Sequence, residues 1–150
     1  MIKYHHNVWR FFMKTFLVIF RIIRIDPDDI GSDGFANMEV LNKLDFYMEA
    51  SSRANVKKQL EQSEPFVVMN DWAQSTDRDV LVSIYELSDK YLPKNLWEIQ
   101  LGYVEQPKFQ LEFLIAGSSK RQVESKVSEA FDVFFDIQQD IDYELVFDIQ

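Results

Sequence analysis

The stretch Phe35-Ala-Asn-Met-Glu-Val-Leu-Asn-Lys-Leu-Asp-Phe-Tyr-Met-Glu-Ala50 decides how the chain is read. Val40, Leu41, Leu44, Tyr47 and Met48 recur at helical spacing, which predicts a helix from Phe35 to about Ala50 with these residues on its buried face. Ser51-Ser52 breaks that helix and caps a second one over Arg53–Gln62, which Pro65 ends. Phe66–Met69 then reads as a short strand. On the other side, Asp26-Pro-Asp-Asp-Ile-Gly-Ser-Asp-Gly34 is an acidic turn segment. Before it, Phe16–Ile25 is apolar on both faces, as a central strand covered on both sides should be.

Further along, Asp79–Leu87, Leu96–Val104 and Lys108–Ile115 read as three antiparallel strands. Trp97, Ile99, Leu101 and Tyr103 alternate with more polar neighbours in the second, and Phe109, Leu111, Phe113 and Ile115 in the third. The link Glu105-Gln-Pro107 is short enough for a hairpin. Ser119 and Gln122 form a capping-box signature for a helix through about Gln138, whose buried face holds Val123, Val127, Phe131 and Phe134. Asp142–Ile149 closes the chain as a strand with Tyr143, Leu145, Phe147 and Ile149 alternating.

The element order is then β-α-α-β-β-β-β-α-β, and the final strand–helix–strand unit is expected to return as a parallel pair. The fold class is α+β: a mixed, mostly antiparallel sheet with helices packed mainly on one face, ferredoxin-like or an elaboration of it. Residues 1–150 fit one domain. Residues 1–12 read as a non-native or flexible extension, with Met13 as an alternative start that would make His5 and His6 dispensable.

Composition limits the chemistry. The chain has no cysteine, two adjacent histidines at His5 and His6, and four glycines. This removes disulfides, zinc–thiolate sites, thiol nucleophiles and glycine-rich phosphate loops together. Hydrophobic residues make up 47%, which places the chain among globular proteins and not disordered ones. The apolar run Phe11–Ile25 is interrupted by Lys14, Arg21 and Arg24, too closely to span a bilayer, and no small-residue cleavage site follows. A cytoplasmic location follows from these features, with no membrane partner. The net charge of −9 argues against general nucleic-acid binding, which depends on clustered Lys and Arg.

Three groups of residues are candidate sites. Asp26, Asp28, Asp29 and Asp33 cluster at a strand end, where Mg²⁺ or Ca²⁺ finds oxygen ligands; with Asp71, Asp77 or Asp79 they would serve a metal-dependent phosphoesterase or nuclease. An EF-hand register from Asp29 is excluded, because it sets Gly31 and Val40 where acids are required. The bland reading is a solvated turn with Asp33 capping the next helix. Gly117, Ser118, Ser119, Lys120 and Arg121 form a strand-to-helix turn whose amides, hydroxyls and cations suit a phosphate or nucleotide sensor. The bland reading there is an ordinary N-cap.

The third group comes from the charge layout. Lys3, Arg10, Lys14, Arg21 and Arg24 give residues 1–24 a charge of +5 with no acid. Glu129, Asp132, Asp136, Asp140, Asp142, Glu144 and Asp148 give residues 127–150 a charge of −7 with no Lys or Arg. Neighbouring first and last strands would pair these charges. Surplus acid at Glu129, Asp132, Asp136 and Asp140 would meet a basic protein partner. Lys120, Arg121 and Lys126 in the first half of that helix, with acids in its second half, run against the helix dipole. Trp72, in a loop-like segment, is a further interface anchor.

Catalysis has little support, since no histidine stands inside the fold to act as base. The reading is a small acidic binding protein, without a cofactor, that inhibits or regulates a protein partner, as immunity proteins, antitoxins and phage inhibitors do by class analogy. The metal-dependent enzyme, the only reading that needs Mg²⁺ or Ca²⁺, and the phosphate sensor are the alternatives.

Overall fold

Phe16, Val18, Phe20 and Ile22 alternate along the first strand and lie buried against the helices, while Leu17, Ile19 and Arg21 between them face the other way and are half-buried. The computed structural model describes residues 13–139, Ile141 and residues 143–150. Its elements run β1 (Lys14–Ile30), β2 (Ala36–Ala50), α1 (Arg53–Gln62), α2 (Glu64–Ser75), β3 (Asp79–Leu87), β4 (Leu96–Tyr103), β5 (Leu111–Ala116), α3 (Lys120–Ala130), α4 (Asp132–Gln139) and β6 (Leu145–Ile149). The strands form one sheet in the order β3-β1-β2-β5-β4-β6, with every neighbouring pair antiparallel. The class is α+β, and the helices supply Val56, Leu60, Phe66, Met69, Val123, Val127, Phe131 and Phe134 to a core on one face of the sheet.

The stretch from Phe35 to Ala50 is a strand and not a helix. Leu44, Phe46, Met48 and Ala50 are buried, with Asp45, Tyr47 and Glu49 facing away, which is the period-two pattern of a sheet. Pairing with β1 from Lys14↔Ala50 to Ile22↔Asn42 overrides the apparent helical spacing. Phe66–Met69 in turn lies inside α2, not in a strand. Pro65 occupies the first turn of that helix, where its missing N–H is no loss, so it starts α2 as well as ending α1. Ser52 caps α1 as expected, its Oγ accepting from Asn55 N–H at 3.1 Å.

Two other expectations change. β5 and β6 run in the same direction, but β4 lies between them, so they are not a hydrogen-bonded parallel pair. β1 and β6 are likewise not neighbours: β2, β5 and β4 separate them, which removes cross-strand pairing between the basic N-terminal and acidic C-terminal segments. β1 is central in the sheet, yet the helices cover only one of its faces. The expectations on residues 1–12, including His5 and His6, lie outside the described residues.

The helix expected from Ser119 to Gln138 divides at Phe131, whose φ of −110° and ψ of 25° leave the helical region. Asp132 therefore stands in the first turn of a new helix, α4, where the dipole favours an acid. The expected conflict between charge and helix dipole is removed at that residue. Lys126 Nζ donates to Ala116 O at 3.0 Å and so joins α3 to the end of β5.

Tyr103 is 2% exposed and its ring lies 5.3 Å from that of Phe134. Burial pushes its phenol up from the usual value, with Glu64 and Tyr143 adding to the rise. The stability that this neutral phenol contributes is present below the unfolded value of about 10 and is lost as the pH rises through the folded one. Its hydroxyl has no hydrogen-bond partner among the described residues. Tyr103→Phe is therefore expected to match or exceed the parent by up to about 1 kcal/mol at neutral pH, and to lose less stability on going to about pH 11. Urea titrations at the two pH values measure both effects.

Candidate functional site

β1 and β2 outgrow the sheet. Pairing of β1 with β3 stops at Ile23↔Asp79, so among the described residues Arg24–Ile30 and Ala36–Val40 pair only with each other. They form a two-stranded arm about 20 Å long. The register shifts between Ile22↔Asn42 and Ile23↔Val40, leaving Leu41 as an extra residue; bulges of this kind bend a ribbon and strengthen its twist. A second shift admits Pro27, which a ladder paired on both sides would reject. At the tip, Gly31 N–H donates to Phe35 O at 2.9 Å and Gly34 N–H to Gly31 O at 3.0 Å. Gly34 sits at φ 84°, a conformation that favours glycine there.

The surface of the arm is unusual for an exposed element. Ile25 and Met38 are direct cross-strand partners on one face, with Val40 beside them on the same face, and all three are exposed. Ile30 is 55% exposed and Phe35 74%. On the opposite face Arg24 and Glu39 form an ion pair. Asp26, Asp28, Asp29 and Asp33 have no ion-pair partner among the described residues. Five acids against one arginine give the segment from Arg24 to Val40 a net charge of −4.

The four aspartates are thus arm residues. Asp26 Oδ1 accepts from Asp28 N–H at 3.0 Å, and Asp33 Oδ1 from Phe35 N–H at 3.0 Å. Asp33 therefore tightens the turn leading into a strand and caps no helix. Among the described residues no three His, Cys, Asp or Glu side chains lie close enough to hold one metal ion.

The arm roots beside a second group of acids. Asn42 Nδ2 donates to Asp132 Oδ1 at 2.8 Å and to Glu129 O at 3.0 Å, fastening β2 to the junction of α3 and α4. Glu129, Asp132 and Asp136 are exposed there, so the structure brings two of the acidic groups to one end of the molecule. Asp140 lies outside the described residues. Trp72 stands apart on α2: half-buried against the core, with the Arg78 guanidinium 5.0 Å over its ring.

The turn at Gly117–Arg121 is occupied by its own side chains. Gln122 Oε1 accepts from Ser118 N–H at 2.6 Å and from Ser118 Oγ at 2.8 Å, while Ser119 Oγ accepts from Gln122 N–H at 3.1 Å. Gly117 O accepts from Trp97 Nε1 at 2.9 Å. A Cβ on Gly117 would stand 2.4 Å from Val123 Cγ2, so the turn packs directly on α3. Lys120 and Arg121 remain exposed at its rim.

No protein-family model matches the chain, and comparisons with curated proteins and with solved structures find no match either. Among the described residues no helix is long and apolar enough to cross a membrane.

Proposed function

We propose that the chain is a binding protein that occupies and so regulates a protein partner, with the β1–β2 arm as the inserting element. One observation carries this reading: an arm that leaves the body of the fold exposes Ile25, Ile30, Phe35, Met38 and Val40 together. A two-stranded ribbon has little core of its own, and contiguous exposed apolar surface rimmed by charge is characteristic of interfaces. The four aspartates, which have no ion-pair partner among the described residues, point to a partner with an apolar groove bordered by Lys and Arg. Glu129, Asp132 and Asp136 extend the same acidic rim onto α3 and α4. A second copy of this chain is disfavoured as the occupant, because an arm of charge −4 would approach a molecule of charge −9.

The test begins with co-purification of a stoichiometric partner from source cells. Substituting asparagine for Asp26, Asp28, Asp29 and Asp33 together is expected to slow association about tenfold or more at low salt and to flatten its salt dependence. Stopped-flow or surface-based kinetics measure both. Unchanged kinetics in the fourfold variant would remove the arm from the interface.

A further inference from the structure

We infer that a second site, at the other end of the β1–β2 hairpin, binds a small organic cation: an ammonium or guanidinium group on an apolar stem. β2 and β5 are joined by a single bridge, Tyr47↔Leu114, whereas β4 and β5 pair over Leu96–Leu101. A cleft of about 290 Å³ lies along this thin seam. Met48 and Phe113, whose side chains belong to the core, help to line it, so its floor is the gap between the two strands. Its size is at the small end of ligand pockets, and an apolar floor with a few polar groups is their usual construction.

The charge of the lining selects the ligand. Glu49, Glu98, Glu112 and Asp148 all border the cleft, and among the described residues no Lys, Arg or His does. None of the four is in an ion pair among the described residues. Their placement opposes local stability. Glu49 lies two residues beyond Tyr47 on β2 and Glu112 two before Leu114 on β5, so both carboxylates flank the seam, and like charges held near one another across strands repel. Gln100 pairs with both Glu112 and Asp148, so across β5, β4 and β6 that row runs Glu–Gln–Asp with no cation in it. Among the described residues no positive group balances the four carboxylates over this apolar gap, and an organic cation with an apolar stem supplies both the charge and the filling. No three of these carboxylates lie close enough to share one metal ion, which favours a delocalised or hydrogen-bonding cation. The arm stands about 30 Å away along the strands, so this inference does not depend on the arm's role.

Titration of the full chain by amide NMR tests it. Agmatine represents a free cation and acetyl-Gly-Arg-Gly-amide a peptide-borne one; 1,4-butanediol is the uncharged control, and CaCl2 tests for a metal. Saturable shifts at Tyr47, Glu98 and Leu114 with agmatine, with the peptide or with both are expected, and none with the diol. Which of the two cations binds more tightly identifies the source. The double variant Glu98→Gln with Glu112→Gln is expected to weaken binding about tenfold or more. Its urea midpoint should be unchanged or raised, because repulsion has been relieved. Absence of saturable shifts with either cation overturns the proposal. So does response to calcium alone, or equal binding by a double variant that keeps its folded spectrum.

Discussion

Replacing Phe131 with alanine is expected to lower the unfolding free energy by about 3–5 kcal/mol. The residue is fully buried and joins most of the core at one point. Its ring stacks on Phe20 of β1 at 5.2 Å and lies 6.3 Å from Phe66 of α2 and 6.0 Å from Phe113 of β5. It also occupies the break between α3 and α4, its N–H donating to Val127 O at 3.0 Å. Alanine there opens a cavity that three elements from separate parts of the chain would have to fill by moving together, which a close-packed interior resists. Domains of this size are stable by only about 5–15 kcal/mol, so the variant would unfold at a much lower urea concentration. Phe131→Leu retains most of the volume and is expected to cost no more than about 1.5 kcal/mol. If equilibrium denaturation shows the alanine variant within about 1 kcal/mol of the parent, the four aromatic rings do not form the packed centre described above.

How much of this was legible in the sequence depended on what each segment packs against. β3, β4 and α1 could be read directly, because one face of each is covered and the other is not, so burial imposes its period on the residues. From Phe35 to Ala50 two regimes meet. Leu44, Phe46, Met48 and Ala50 keep the sheet's alternation, whereas Met38 and Val40 lie on the arm, where they stay exposed. Joined end to end, the two pieces imitate helical spacing, and the Met, Glu, Leu, Lys and Ala content agrees with a helix by propensity. Pairing with the full length of β1 decides otherwise, and such pairing is not visible locally. Pro65 misled for a related reason: the same residue ends one helix and begins the next, and only its position in the following turn tells which.

The candidate sites divide in the same way. The aspartates from Asp26 to Asp33 are conspicuous in the sequence, and their place near a turn was readable. Their apolar companions were not, since an isoleucine or phenylalanine is assigned to the core unless the fold shows it outside. Glu49, Glu98, Glu112 and Asp148 were beyond reach altogether. They are spread over about two-thirds of the chain, and only the strand order β2-β5-β4-β6 brings them to one cleft.

Substituting serine for both Phe35 and Met38 is expected to weaken binding to the arm's partner at least about 30-fold, the loss that accompanies removal of about 2 kcal/mol of hot-spot contact. Phe35 is the most exposed large apolar side chain on the arm, and Met38 is half exposed opposite Ile25, so both are available to a groove without rearrangement. Truncating them removes apolar burial and leaves the charged rim intact, so the dissociation rate should rise while association changes little. The fourfold asparagine variant should do the reverse, and the two together separate anchoring from steering. Stability distinguishes an interface from a damaged fold: exposed substitutions on a surface that packs on nothing shift unfolding by no more than about 0.5 kcal/mol. Lys57→Ala with Glu61→Ala serves as the control, because that exposed pair lies on α1, beyond the opposite end of β2. If the serine variant binds as the parent does while Asp132→Lys with Asp136→Lys abolishes binding, the contact surface belongs to α3 and α4, and the apolar arm needs a different explanation.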